Sequence, residues 1–365
     1  MPELIFKDFI VLSLGDALQV VLLGFIGGVL SGFIGSGGAF FMTPGMMNLG
    51  VPGVIAVGSN ITHKFGKAMM GSRKHGELGN VDKKLGFFLV LTSFVGIRLA
   101  VWINSYLFAL GGSKGGDKSA AADLYISLVF VCILSVVALS MLRDVMRSSD
   151  EEGGPSRKIA DALARLKLAP VIHFPVADVK VSLWVVMAVG LATGYLAGTI
   201  GVGGFIGVPA MIYVFGVPTA VAAGTELFLA MFMGAFGALN YVYAGLVDLR
   251  LTMLLYLGSL LGIYIGVYGT KVVKEVVIRL VTSLVILICV LSRGIAVPIY
   301  LRQLGFVSFD PIWDGRLNQV SKFFLLAAGV SGTLVILYNV AVAFRRQSQI
   351  RKSLAEMVPV AGARD

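Results

Sequence analysis

Charge is what this sequence has least of. Only 14% of its 365 residues are Asp, Glu, Lys or Arg, while 57% are hydrophobic, and the mean hydropathy is +0.89. An average soluble domain is about 25% charged. A chain this apolar has too few polar groups to cover a water-facing surface, so lipid must be the solvent for most of it. Cysteine is scarce too. Cys132 and Cys289 both lie in apolar runs, which excludes a disulfide framework and says nothing of redox compartment. The three histidines, His63, His75 and His173, show no metal-ligand spacing. Ser-His-Asp, H-E-x-x-H and P-loop patterns are missing. No metal, ATP or other cofactor is expected, and the chain does not read as an enzyme. The first twenty residues carry Glu3, Asp8 and Asp16 against a single lysine. That is the wrong charge for a cleaved signal peptide, so the first apolar segment is expected to be retained.

What charge there is leans positive, with a net +10. The lysines and arginines gather in short loops, as they do in loops kept on the cytoplasmic side of a membrane. No loop carries a basic stripe with interleaved aromatics, so nucleic acid is not an expected partner.

Glycine is abundant, with 46 residues against a usual share of about 7%. The glycines sit inside apolar stretches, where they mark close helix contacts or broken helices. Runs long enough to span the bilayer fall at 18–34, 52–72, 85–109, 124–142, 181–200, 218–244, 251–270, 276–292 and 321–344. Two shorter pieces, 38–50 and 205–216, follow glycine clusters. They are too short to span and suit half-helices or re-entrant segments.

The longest polar stretch, 143–180, divides the chain. Ile159, Leu163 and Leu166 in it share one helix face, with Arg157, Lys158, Arg165 and Lys167 nearby. This reads as a short helix lying on the membrane surface or as a plain linker helix. The segments on either side are an internal repeat at a constant offset of 166 residues. SGFIGSGG at 31–38 meets AGTIGVGG at 197–204. Gly50-Val51-Pro52 meets Gly216-Val217-Pro218, and Gly58-Ser59-Asn60 meets Gly224-Thr225-Glu226. Gly79, Val81 and Asp82 meet Gly245, Val247 and Asp248. The expected organisation is a first transmembrane repeat at 1–142, a cytoplasmic linker at 143–180 and a second repeat at 181–292. An extra loop and final membrane helix follow at 293–344, then a basic cytoplasmic tail at 345–365.

Arg73, Lys74, Lys83 and Lys84 place the 73–84 loop in the cytoplasm, together with 143–180, 271–275 and the tail. The 110–123 and 245–250 loops and most of 294–320 then lie outside. The two halves must have opposite orientation, an inverted repeat, with each glycine-cluster unit (18–50 and 181–216) entering and leaving on one side. A parallel four-plus-four arrangement is the alternative. The fold class is therefore an all-α polytopic membrane protein of about eight to ten segments.

Two kinds of residue are candidates for chemistry. The clusters Gly35-Ser36-Gly37-Gly38 and Gly201-Val202-Gly203-Gly204 lack side chains that would shield the backbone. Each precedes a half-length helix, whose N-terminal N–H groups favour an anion. Close packing alone is the competing reading of the glycines. Ionisable residues in apolar segments are the second kind, costly there and so functional by default. Asn60, His63, Lys64 and Lys67 share one helix face by spacing. Asn60, His63 and Lys64 join the glycines as substrate-binding candidates, with Lys67 either on that face or reaching toward the basic end of its helix. Glu226, the repeat counterpart of Asn60, and Arg98 are candidates for coupling, with a merely structural Glu226–Lys64 or Glu226–Arg98 pair as the competing reading. Asp82 and Asp248 precede membrane helices and are expected to cap them.

The doubled layout of a G-x-G-G cluster, a half-length apolar piece and G-V-P resembles the TauE/SafE sulfite exporter family. The likeness covers most of 18–109 and 181–292. It implies a secondary transporter of small sulfur-containing anions, such as sulfite, thiosulfate or sulfonates, in the cytoplasmic membrane of a prokaryote. The family's glycine positions carry over to Gly35, Gly37, Gly38, Gly201, Gly203 and Gly204. Proline departs from the repeat, standing at Pro44 after the first cluster and one position off, at Pro209, after the second.

The expected function is alternating-access transport of a small anion, coupled to protons. The partners are the anion and the bilayer, with a homo-oligomer left open. A non-transporting sensor or assembly factor, using the 143–180 loop as partner site, is the competing class.

Overall fold

A computed structural model describes residues 12–34, 38–111, 119–147, 168–201, 203–273 and 275–357. The described chain is almost wholly helical. In order come α1 (Leu14–Ile34), α2 (Ala39–Asn48), α3 (Gly53–Glu77), α4 (Lys83–Gly111) and α5 (Ala120–Arg147). A small hairpin of β1 (Val171–Phe174) and β2 (Val179–Ser182) follows. Then come α6 (Leu183–Ile200), α7 (Gly204–Pro209) running into a π-turn at Ala210–Val214, α8 (Thr219–Tyr243), α9 (Leu249–Val272), α10 (Glu275–Gln303) and α11 (Ile312–Met357). Eight of the described helices are long and apolar enough to cross a membrane.

Local chemistry sets the boundaries. Ser13 and Asp16 bond each other's backbone N–H reciprocally at the start of α1, a capping box. Asp82 Oδ1 accepts from Leu85 N, and Asp248 Oδ1 accepts from Arg250 N and Leu251 N. Both aspartates are therefore N-caps, as expected. The short pieces end where Gly50 (φ 87°) and Gly216 (φ 76°) take the left-handed conformation. Pro52 and Pro218, in extended backbone, then open α3 and α8.

Several expected boundaries shift. The span expected at 276–292 runs on to Gln303, since Pro298 is accommodated inside the helix; membrane helices tolerate interior proline. The final helix starts at Ile312, so less of 294–320 is loop than expected. The segment at 52–72 is a helix, but its His63, Lys64, Lys67 and Arg73 keep it off the eight apolar spans. The β-hairpin lies where only linker was expected. Its turn is held by Asp82, whose Oδ2 accepts from Val176 N and Ala177 N. The surface helix read around Ile159–Lys167 falls outside the described residues.

Glycine sets the packing. On α1, Gly24, Gly28 and Gly32 lie so close to α9 that an added Cβ would stand 2.5–2.6 Å from the carbonyl oxygens of Leu255, Ser259 and Ile263. On α6, Gly190, Gly194 and Gly198 meet α4 in the same way, with 2.2 Å from a Cβ on Gly194 to Ser93 O. These triplets are one repeat offset apart. Helix α1 thus runs parallel to α9, and α6 parallel to α4, so each half lends its first helix to the other. At the centre α3 and α8 cross antiparallel. Gly58 abuts Leu246, Gly234 abuts Phe65, Gly71 abuts Leu227 and Gly224 abuts Asn80. Asp248 N donates to Ser59 Oγ (3.0 Å), and Asp82 N donates to Thr225 Oγ1 (3.0 Å). Each G-x-V-D loop is thereby docked on the opposite half, beside Asn60 and Glu226.

Candidate functional site

Two breaks in regular helix face the centre of the bundle. Helix α6 ends at Gly201 (φ 78°), and its free carbonyls are taken up by side chains. Tyr241 OH donates to Gly198 O (2.6 Å), and Asn104 Nδ2 donates to Thr199 O (3.2 Å) and to Tyr241 OH (2.8 Å). Asn104, Tyr241 and Gly198 are all buried. Unpaired carbonyls at membrane depth are costly, so this network makes the break tenable. On the other side of the centre, α2 begins at Ala39 after Gly38, which packs directly on the backbone of Gly27. Gly35, Ser36 and Gly37 lie outside the described residues.

Helix α3 runs between these breaks. Asn60 is fully buried; its Nδ2 donates to Ala39 O (3.1 Å) and Thr43 Oγ1 (2.8 Å). Its Oδ1 has no hydrogen-bond partner among the described residues. A Cβ on Gly201 would sit 3.3 Å from Asn60 Nδ2 and 3.1 Å from Thr43 Oγ1. One turn on, Lys64 is 7% exposed, and its Nζ lies 3.2 Å from where a Cβ on Gly203 would be. One helix face of the first half thus touches the second half's cluster at two glycines.

Glu226 reaches the same short helix from α8. It is 1% exposed, and neither carboxylate oxygen has a hydrogen-bond partner among the described residues. A Cβ on Gly207 would stand 2.0 Å from Oε2. Gly203 and Gly207 are one turn apart, about 6 Å along the axis. A buried ammonium and a buried carboxylate therefore flank consecutive turns of one glycine-lined helix, within electrostatic reach of one another.

The other candidates are placed elsewhere. His63 turns to α9, with Nε2 2.7 Å from Ser259 Oγ and its ring 4.7 Å from that of Tyr256. Lys67 Nζ donates to Ser31 Oγ (2.7 Å) on α1. The polar stripe read as one face of α3 is thus divided, with Asn60 and Lys64 turned to α2 and the second glycine cluster, and His63 and Lys67 turned to α9 and α1. Arg98 is exposed on the outer surface of α4, bonded to Asn240 Oδ1 (3.0 Å), and is not brought to Glu226. Gly204 is buried at the start of α7. Sequence reading missed Thr43, Asn104, Gly207 and Tyr241. Asn104 and Tyr241 were visible as polar groups within apolar runs. Gly207 carried no separate signal.

The chain is similar to a known family and to several membrane proteins. The family model for the sulfite exporter TauE/SafE matches residues 20–293, which takes in both glycine clusters, Lys64 and Glu226. The probable membrane transporter protein YjnA of Bacillus subtilis is 26% identical over 252 residues, 68% of this chain and 89% of that one. A second from the same organism, YdhB, is 24% identical over 269 residues, 72% of this chain and 94% of the relative. A probable membrane transporter protein of Xylella fastidiosa is 28% identical over 167 residues, 44% of this chain and 56% of its own length. No solved structure matches the chain. With eight apolar spans and a family match over most of its length, the chain belongs to the sulfite exporter TauE/SafE family and is a multi-pass membrane transporter of the cytoplasmic membrane.

Proposed function

We propose that the protein is a proton-coupled secondary transporter of small, sulfur-containing anions such as sulfite, thiosulfate or a sulfonate. The carrying observation is the trio of Lys64, Gly203–Gly207 and Glu226 at the centre of the bundle. A carrier must bind its anion weakly enough to release it. Lys64 supplies one positive charge against a stretch of backbone with no side chains in the way. Asn60 and Gly201 form the neighbouring wall, with the Asn60 amide next to the exposed backbone. Gly35, Ser36, Gly37, Gly38 and Gly204 complete the proposed lining from both clusters. The orphaned carboxylate of Glu226 is the group that takes up and releases the proton, one turn from the anion.

Alternating access follows from an inverted repeat. The antiparallel crossing of α3 and α8 supports that reading, as does the exchange of α1 and α6 between halves. The short helices α2 and α7 would each enter and leave from one side, on opposite faces of the membrane. Ser59 and Thr225 tie each site residue's neighbour to the far half's loop, so rocking one half moves the site.

The test is flux in proteoliposomes with sulfite, thiosulfate, sulfonates, sulfate and chloride, with and without a proton gradient. The reading expects gradient-driven flux of at least one sulfur oxyanion and its loss in Lys64→Met. No flux of any anion from well-folded protein would favour the sensor or assembly-factor reading instead.

A further inference from the structure

Arg98 is left over by the transport site, and its surroundings have a chemistry of their own. It borders an open groove of about 500 Å³ between α4 and α8, lined otherwise by Phe94, Val95, Leu99, Trp102 and Phe236. Phe94 and Phe236 stack across it, with ring centroids 4.3 Å apart. Arg98 is the only charge in the lining. It donates to a neutral amide, Asn240 Oδ1, and no carboxylate pairs with it among the described residues.

Depth can be read along the helix. Lys83 and Lys84 begin α4 at the basic face of the membrane. Arg98 lies fifteen residues on, roughly 22 Å at 1.5 Å per residue, in a hydrocarbon layer of about 30 Å. Its guanidinium reaches toward the far face, to an amide one turn before the end of α8. Trp102, Tyr106 and Tyr243 are exposed just beyond it, the place of an interfacial aromatic belt. Phe94, Val95 and Phe236 lie on the opposite side of Arg98, toward the bilayer centre. A cation below an aromatic belt, above an apolar slot that opens to the lipid, matches an amphiphile with an anionic head and an acyl tail. An unpaired arginine facing hydrocarbon is costly, and a phosphate head is the counter-charge that this solvent supplies.

We propose that this groove binds an anionic phospholipid from the leaflet opposite the basic loops. Its phosphate sits on Arg98, and an acyl chain lies along Phe94, Val95 and Phe236.

Native mass spectrometry of the full chain tests it, with phosphatidylglycerol and phosphatidylcholine of identical tails as probes. The wild-type protein is expected to retain phosphatidylglycerol in preference. Arg98→Gln should bind it roughly five-fold more weakly, the worth of one arginine at an anionic surface, and lose the preference. Arg98→Lys should keep most of it. Val95→Trp, which fills the slot and leaves the charge, should lose both lipids; it also serves if Arg98→Gln fails to fold. Unchanged phosphatidylglycerol retention in Arg98→Gln or in Val95→Trp overturns the assignment. So does equal retention of the two lipids by wild type, or displacement of the lipid by inorganic phosphate, which would make the ligand a soluble anion. None of these readouts depends on flux.

Discussion

At the scale of single residues, the site rests on one buried cation, one buried carboxylate and glycines that leave room for them. Lys64→Met removes the ammonium from Gly203 and should weaken anion binding by the worth of a charge-assisted hydrogen bond, about 1.5–3 kcal/mol. Equilibrium binding of sulfite or thiosulfate to purified protein measures it. Gly207→Ala places a methyl group 2.0 Å from Glu226 Oε2 and should cripple transport, while Gly76→Ala, with nothing near its added carbon, should be silent. A flux assay on the pair separates a packed site from general intolerance of side chains on the helices. Lys64 and Glu226 were legible in the sequence because charge at membrane depth is rare. Their meeting at α7 was not, since the contact joins residues from both halves across a helix whose break cannot be placed by periodicity. The division of His63 and Lys67 from Asn60 and Lys64 was equally hidden. Spacing gives an angle around α3 and not the identity of the neighbour at each angle.

At the scale of elements, glycine decides which helices touch. Gly28 and Gly194 are repeat equivalents, each pressed on a partner backbone closer than a Cβ permits. Leucine at either should destabilise the fold by at least the 1–3 kcal/mol of an overpacked core, roughly, read as a lowered midpoint of thermal unfolding in detergent. Asp82 serves two elements at once, capping α4 and holding the hairpin turn through Val176 N and Ala177 N. Asp82→Ala should cost about 0.5–2 kcal/mol for the cap and expose the hairpin to limited proteolysis, whereas Asp248→Ala should loosen only α9. The long apolar runs make most helices readable in the sequence. The extension of α10 is not, because Gly294 and Pro298 read as breakers in water and are tolerated in a membrane helix; that of α11 is not, because its added ends carry Asp314, Arg316, Arg345 and Arg346 and so lie outside the apolar run. The hairpin was missed for a different reason. Its strands are four residues each, too short for an alternating pattern to stand out in a polar linker.

At the scale of the whole molecule, the claim is that two equivalent halves face opposite sides and share one asymmetric site. The halves differ where it matters, with Asn60 opposite Glu226 and Lys64 opposite Ala230. The repeat was legible because Pro, Asp and Gly recur at one offset. The partner exchange of α1 and α6 was not, as nothing in a sequence offset says which half a helix packs against. An inverted arrangement predicts that, once Cys132 and Cys289 are replaced by serine, single cysteines at Gly79 and Gly245, the equivalent left-handed loop glycines, react with a membrane-impermeant thiol reagent from opposite sides; a parallel repeat would label both from one side. The most direct measurement of the account is anion flux and proton flux recorded together in proteoliposomes, for wild type and Glu226→Gln. The account predicts that the wild type moves protons with a sulfur oxyanion, and that Glu226→Gln still binds the anion but no longer responds to the proton gradient. An unchanged pH and gradient dependence in Glu226→Gln would contradict it.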